Sequence, residues 1–220
     1  IVKIAFSHLL VGFLWLLHWL PLPVLRAFGC LLGRLLYIFG RERREVALIN
    51  LGLCFPEKTE AEREDLARRN FVAFSRAVID RTLGWWASKE RLERIIRITG
   101  VEHLKDPAGR PIILLSPHFV GLDAGATRIS MHIVGCSVYS NQKNPVFNKL
   151  LYDGRMRFND AVLLSRQDGM RKIVKAMKAG HQFYYLPDMD FGPKESIFVP
   201  FFGVQAATIP GVARLVRLTG

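Results

Sequence analysis

Residues Pro111 to Asp123 read PIILLSPHFVGLD. An apolar run, bounded by Ser116-Pro117, has the length and composition of a buried strand. His118 follows at once, and Asp123 comes five positions later. Downstream, HIVGCSVYS, AVLLS and QFYYLPD read as three more strands, and the chain between them reads as helix. NPVFNKLLYDGRMRF is one such helix. DGMRKIVKAMKAG is another, stopped by Gly180 at the usual C-terminal glycine position. Strands alternating with helices imply an α/β fold with a mostly parallel sheet flanked by helices. In such sheets ligands bind outside the carboxyl ends of the strands. The His118–Asp123 stretch therefore lies where chemistry is expected.

A histidine there can serve as general base near neutral pH. A nearby carboxylate can fix its tautomer and stabilise the imidazolium. The plain alternative is a loop histidine beside a helix-capping aspartate, and H-x4-D is short enough to arise by chance. Ser116 lacks the G-x-S-x-G surroundings of a nucleophile elbow. His103, His118, His132 and His181 lack metal-ligand spacing, so no metal site is expected. Basic residues gather after the strands: Lys143 in SNQKNP, Arg155 and Arg157 in YDGRMRF, and Arg166 in LLSRQDG. Each alone reads as a solvated charge. Together at one sheet edge they suit a phosphorylated substrate, which arginine binds in bidentate fashion. Asp188 and Asp190 follow the fourth strand. IFVPFFG (197–203) reads either as a core strand with an edge proline or as the lining of an apolar groove.

The flanking composition points to a membrane. Half of the 220 residues are apolar, yet the formal net charge is +12, with 15 Phe and 4 Trp. That combination fits an anionic partner surface and the aromatic preference of membrane interfaces. Nucleic acid is not expected, because the basic residues are dispersed and no reader motif occurs. Cys30, Cys54 and Cys136 fit no metal or redox motif and read as reduced, buried thiols.

Residues 1–40 read as a membrane anchor or interfacial hairpin. IAFSHLLVGFLWLLHWL (4–20) is 17 residues with no acid, Lys or Arg, and Pro21 and Pro23 break it. The next apolar segment carries Arg26 and Arg34 about two turns apart, as an interfacial helix would. Arg41 to Glu45, RERRE, favours the cytoplasmic side. No cleavage-site pattern follows Leu20. The competing reading is a buried helical hairpin. Residues 41–99 form a helical segment, with a long helix opened by Thr59 as N-cap and Glu62 as its capping-box partner. Trp85-Trp86 suits either core or an interfacial belt. Residues 100–220 form the α/β core.

These residues resemble the bacterial lipid A biosynthesis late acyltransferases, of the lauroyl/myristoyl type, within the lysophospholipid acyltransferase superfamily with its H-x4-D/E motif. The resemblance rests on RREVALINLGLCFPE, LLSPHFVGLD, SNQKNPVFNKLLYDGRMRF, LLSRQDGMRKIVKAMKAG and YYLPDMDFGPKESIFVPFFGVQAAT. It implies an acyltransferase of the bacterial inner membrane with its active site facing the cytoplasm. It implies an acyl carrier protein as donor, a Kdo-bearing phosphorylated glycolipid acceptor in an anionic membrane, and no cofactor. Carried over, His118 is the general base and Asp123 its partner. Arg155 meets substrate, and Arg166 and Asp188 lie in matching motifs. Asp123 stands where many lauroyl-type members carry Glu, which leaves donor and acceptor preference open. Acylation of a glycerophospholipid, a mannosylated inositol lipid or an aminolipid is the alternative. Family members usually continue past this endpoint, so a C-terminal segment is expected to be missing.

Overall fold

A computed structural model describes residues 2–192 and 194–219. Two helices open it, α1 (Val2–Leu17) and α2 (Leu22–Phe39), separated by the predicted proline break. Then come α3 (Arg41–Cys54), α4 (Glu60–Trp86) and the short α5 (Lys89–Ile95). Thr59 opens α4 with the expected capping box: its hydroxyl accepts from the Glu62 amide, and the Glu62 carboxylate accepts from the Thr59 amide at 2.8 Å.

Helix α2 seats on α4 through glycine. A methyl group added to Gly33 would lie 2.5 Å from the Val72 Cα, and one on Gly29 would lie 2.8 Å from the Arg76 Cα. The two backbones meet directly, as small-xxx-small spacing permits. Leu25, Ile79, Leu83, Ala87, Leu92 and Leu17 close a helical core around this contact. The outward face is different. Leu9 is 73% exposed and Phe39 77%, and Phe6, Phe13, Trp15 and Leu31 are also exposed. The reading of residues 1–40 as a buried hairpin is therefore not what the fold shows. Among the described residues, α2 is long and apolar enough to cross a membrane, and α1 is shorter.

The second half is the α/β unit. Strands β1 (Ile113–Leu115), β2 (Gly135–Tyr139), β3 (Val162–Ser165) and β4 (Gln182–Tyr185) form one parallel sheet in the order β1-β4-β2-β3. All four lie within the stretches that the apolar runs indicate. Between them run α6 (Leu122–Ile129), α7 (Pro145–Arg155) and α8 (Gly169–Lys178). Helix α8 ends just before Gly180, whose φ of +93° suits glycine. Helices α8 and α9 (Gly211–Thr219) cover the sheet, burying Met177 and Leu215 against Cys136 and Phe183. Helices α6 and α7 lean instead on α4. Asn144 caps α7 and also donates to the buried Ser7 hydroxyl of α1 at 2.7 Å.

IFVPFFG is neither a core strand nor part of a groove wall. It forms β5 (Ile197–Phe201), paired antiparallel with β6 (Val204–Thr208) in a separate ribbon that leaves Phe198, Phe201 and Phe202 more than half exposed. Pro200 is tolerated because a two-stranded ribbon is all edge. Phe202 sits at the turn with φ +49°, a left-handed conformation that costs a residue with a Cβ roughly 1–2 kcal/mol.

The glycine contact can be tested. Gly33→Leu should lower the unfolding free energy by about 1–3 kcal/mol through overpacking. A methyl group added to Gly12 would have nothing within 4 Å, so Gly12→Ala should leave stability equal or higher. Thermal unfolding in detergent reads both.

Candidate active site

The parallel register of β1 and β4 builds the site. Leu115 pairs with Tyr185, and the ladder continues one step as the Ser116 amide bonds to the Tyr185 carbonyl at 2.9 Å. His118 and Asp188 each lie three positions past those partners, so the two chain exits bring them together. The Asp188 carboxylate accepts from the His118 backbone amide at 2.6 Å with one oxygen. Its other oxygen meets His118 Nδ1 at 2.8 Å. One carboxylate thus fixes both the backbone and the ring. Burial pulls the Asp188 carboxyl upward, but the His118 amide and ring outweigh it, and the group stays below the ordinary carboxylate range. With Nδ1 engaged by an anion, Nε2 is the basic nitrogen.

Asp123 does not hold the ring. It sits in the first turn of α6, and its carboxylate takes an ion pair from Arg81 Nε of α4 at 2.5 Å. In place of the expected His118–Asp123 hydrogen bond there are two separate pairings, His118 with Asp188 and Asp123 with Arg81. Arg155, at the end of α7, is the third member of this cluster. Desolvation lowers its guanidinium from the ordinary value, the Asp123 charge opposes that and the Arg81 charge adds to it. It stays protonated. Its side chain is open to solvent yet surrounded by protein, as befits the wall of a roomy cavity.

That cavity has a volume of about 670 Å³. His118, Asp123 and Arg155 lie on its wall, and its lining is mainly apolar, including Leu114, Val138, Leu163, Phe183 and Leu215. Arg26, Asp80 and Arg81 add charged groups to the lining. The size is that of a small-molecule site. Phe119 and Val120, just past His118, are exposed.

The mainly apolar lining, the histidine and the guanidinium groups thus share one cavity. The family description "Bacterial lipid A biosynthesis acyltransferase" matches residues 1–220. The chain belongs to that family. It is 38% identical over 213 residues to a lipid A biosynthesis lauroyltransferase of Escherichia coli K12, covering 96% of this chain and 69% of that protein. A lipid A biosynthesis acyltransferase of Haemophilus influenzae is 36% identical over 189 residues, covering 84% and 60%. A lipid A biosynthesis myristoyltransferase of E. coli K12 is 34% identical over 199 residues, covering 89% and 60%. The chain spans between three fifths and seven tenths of these relatives' lengths.

Within this family member, the remaining sequence candidates separate. Arg157 is a structural residue: its guanidinium donates to the Gly84 and Ala87 carbonyls at 2.6 and 2.7 Å, capping α4, and lies over the Phe158 ring. A charge after a strand cannot reveal that use. Lys143 is exposed and outside the cavity wall, while its neighbour Gln142 is on it. Arg166 opens the short turn after β3, and its side chain lies outside the described residues. Sequence reasoning missed Arg81 and Arg26. Their only signal was a cation in a helix flanked by core positions. Among the described residues, no group of three or more His, Cys, Asp or Glu could hold a metal.

Cys136 also lines the cavity, but desolvation pushes its thiol up to about 12. It should therefore resist iodoacetamide at pH 8 in the folded protein, while the half-buried Cys30 and Cys54 are alkylated first. Peptide mass spectrometry with and without denaturant checks this.

Proposed function

We propose that the chain transfers a fatty acyl group from acyl carrier protein to a hydroxyl of a Kdo-bearing lipid A precursor. The observation that supports this most is the His118–Asp188 pair at the wall of a large apolar cavity. Neutral His118 takes the acceptor hydroxyl proton at Nε2 as the oxygen attacks the thioester carbonyl. The new C–O bond forms and a tetrahedral oxyanion results. The Asp123 and Ala124 amides in the first turn of α6 and the Arg155 guanidinium are the donors suited to it, the Leu122 amide being bonded to the Phe119 carbonyl. Collapse breaks the C–S bond, and the imidazolium returns its proton to the leaving thiolate. Asp188 stabilises the imidazolium throughout. No acyl-enzyme is needed, and the protonated Cys136 thiol is a poor nucleophile.

The cationic residues of the cavity lining supply acceptor binding. Arg26, Arg81 and Arg155 can meet phosphate groups in bidentate fashion. Arg26 belongs to the exposed apolar hairpin, so a lipid headgroup would reach the cavity from the membrane side. The hairpin lies in the interface of the bacterial inner membrane with the site on the cytoplasmic face. The formal charge of +12 suits both an anionic leaflet and an acidic carrier protein.

Incubating membranes that contain the chain with lauroyl- and myristoyl-acyl carrier protein and a Kdo-bearing tetra-acylated precursor should add one acyl chain, read by mass spectrometry. His118→Ala should abolish the gain. Asp188→Asn should cut the rate about 10²–10⁴-fold, the range for losing a base's function or tautomer control. The Asp188 contact forms fully above the unfolded carboxyl pKa of about 3.9 and is lost as pH falls through its lower folded value. Full activity in Asp188→Asn would remove Asp188 from this role, and no acyl gain with an active donor would overturn the reaction itself. With subsaturating carrier protein, the rate should fall steeply between roughly 50 and 500 mM salt, a range chosen to span the loss of charge steering at about 10 Å and shorter screening lengths. A flat profile would argue against charge-steered encounter.

A further inference from the structure

The β5–β6 ribbon takes no part in the cavity, yet it displays large apolar groups on both faces. Ile197 and Phe201 project from one face and Phe198 from the other, all about half exposed or more. A two-stranded ribbon is marginal by itself in water, and aromatics on both faces call for an apolar environment. Its turn sharpens the point. Phe202 and Gly203 both have positive φ, +49° and +77°. Such two-residue turns favour Asn-Gly or Asp-Gly. A phenylalanine sits instead where a small polar residue would be less strained, and its ring stays 58% exposed.

The ring is not isolated. It stacks on Phe55, centroids 5.0 Å apart, at the C-terminus of α3. Helix α3 exposes Val46, Ile49 and Leu53, spaced three and four apart and so on one face. Before α3 in the chain come the exposed Ile38 and Phe39 at the end of α2, and Arg44 ties the corner between the helices by donating to the Tyr37 carbonyl at 2.6 Å. Exposed apolar residues thus lie on the hairpin, along α3 and at the ribbon tip, and the Phe55–Phe202 contact joins the last two. Cations accompany them in sequence: Arg41 and Arg43 at the start of α3, Lys58 over the Phe55 ring, and Lys194 before β5, interspersed with Glu42, Glu45 and Glu57, with Arg41 paired to Glu45 at 2.8 Å. Aromatic residues edged by Lys and Arg are the pattern of a membrane–water boundary. The high net charge disfavours a second copy of the chain as the cover.

We propose that the α3 stripe and the β5–β6 tip form a second membrane contact, seating Phe55, Phe198, Phe201 and Phe202 in the headgroup region of an anionic leaflet. This rests on the membrane association of the hairpin and not on the acyl-transfer reading. The test places a nitroxide on single cysteines in a Cys30→Ala/Cys54→Ala/Cys136→Ala chain, reconstituted in phosphatidylethanolamine–phosphatidylglycerol vesicles. Phe198→Cys is the reporter, Leu9→Cys on α1 the lipid reference, and Ala108→Cys in the exposed turn before β1 the water reference. Collision with oxygen should exceed collision with a nickel chelate at 198, as at 9 and opposite to 108. Adding Phe202→Asn should at least halve that ratio at 198 while leaving Tm equal or higher. A water-like ratio at 198 beside a lipid-like one at 9 overturns the second contact alone. Shelter from both reagents at 198 means that protein covers the ribbon, and it also overturns the proposal. A water-like ratio at 9 removes the membrane association on which the proposal rests.

Discussion

Helix α4 touches nearly everything that matters, and the close backbone contact with α2 fixes it. Gly29 and Gly33 let α2 lie directly on Val72 and Arg76. About two and a half turns past Val72, Arg81 of the same helix holds Asp123 of the α/β unit. At its end, Arg157 caps the last carbonyls and binds α7 to it. The apolar hairpin and the cavity are therefore mounted on one rod. Helix α1 adds a second tie through the Asn144–Ser7 hydrogen bond.

The site separates two jobs that one short motif places side by side. His118 and Asp123 share a single segment, yet they belong to different electrostatic groups. Asp188 accepts from the His118 amide with one oxygen and meets the ring Nδ1 with the other. Asp123 neutralises part of a guanidinium cluster made with Arg81 and Arg155. Without that carboxylate, two cations would share a partly desolvated wall, which is costly. Asp123 thereby lets two arginines stay close together and still offer their remaining donors to a ligand.

Much of this was legible in the chain. The four strands announced themselves as apolar runs, and Thr59 with Glu62 announced the start of α4. The strand end before His118 pointed to the cavity without any structure. The partner of His118 was not legible, because it depends on β1 lying next to β4, a neighbour relation across 70 residues that no local spacing encodes. Arg157 was misassigned for a related reason: a guanidinium capping a helix and one binding phosphate look alike in sequence. IFVPFFG misled because hydrophobicity normally means burial, and here the apolar strand stands outside.

The length of α4 has a geometric consequence. Its 27 residues rise about 40 Å at 1.5 Å per residue, and Val72 to Arg81 accounts for about 13 Å of that. The hairpin grips the rod near Val72 and the Asp123 carboxylate grips it at Arg81. A stiff post of this kind fixes the distance between the hairpin and the cavity. A change in bilayer thickness or headgroup packing that tilts or sinks the hairpin would then be carried to the cavity mouth as a rigid displacement. With the hairpin in a membrane, as proposed, the surrounding lipid would through that lever bear on how the substrate is presented.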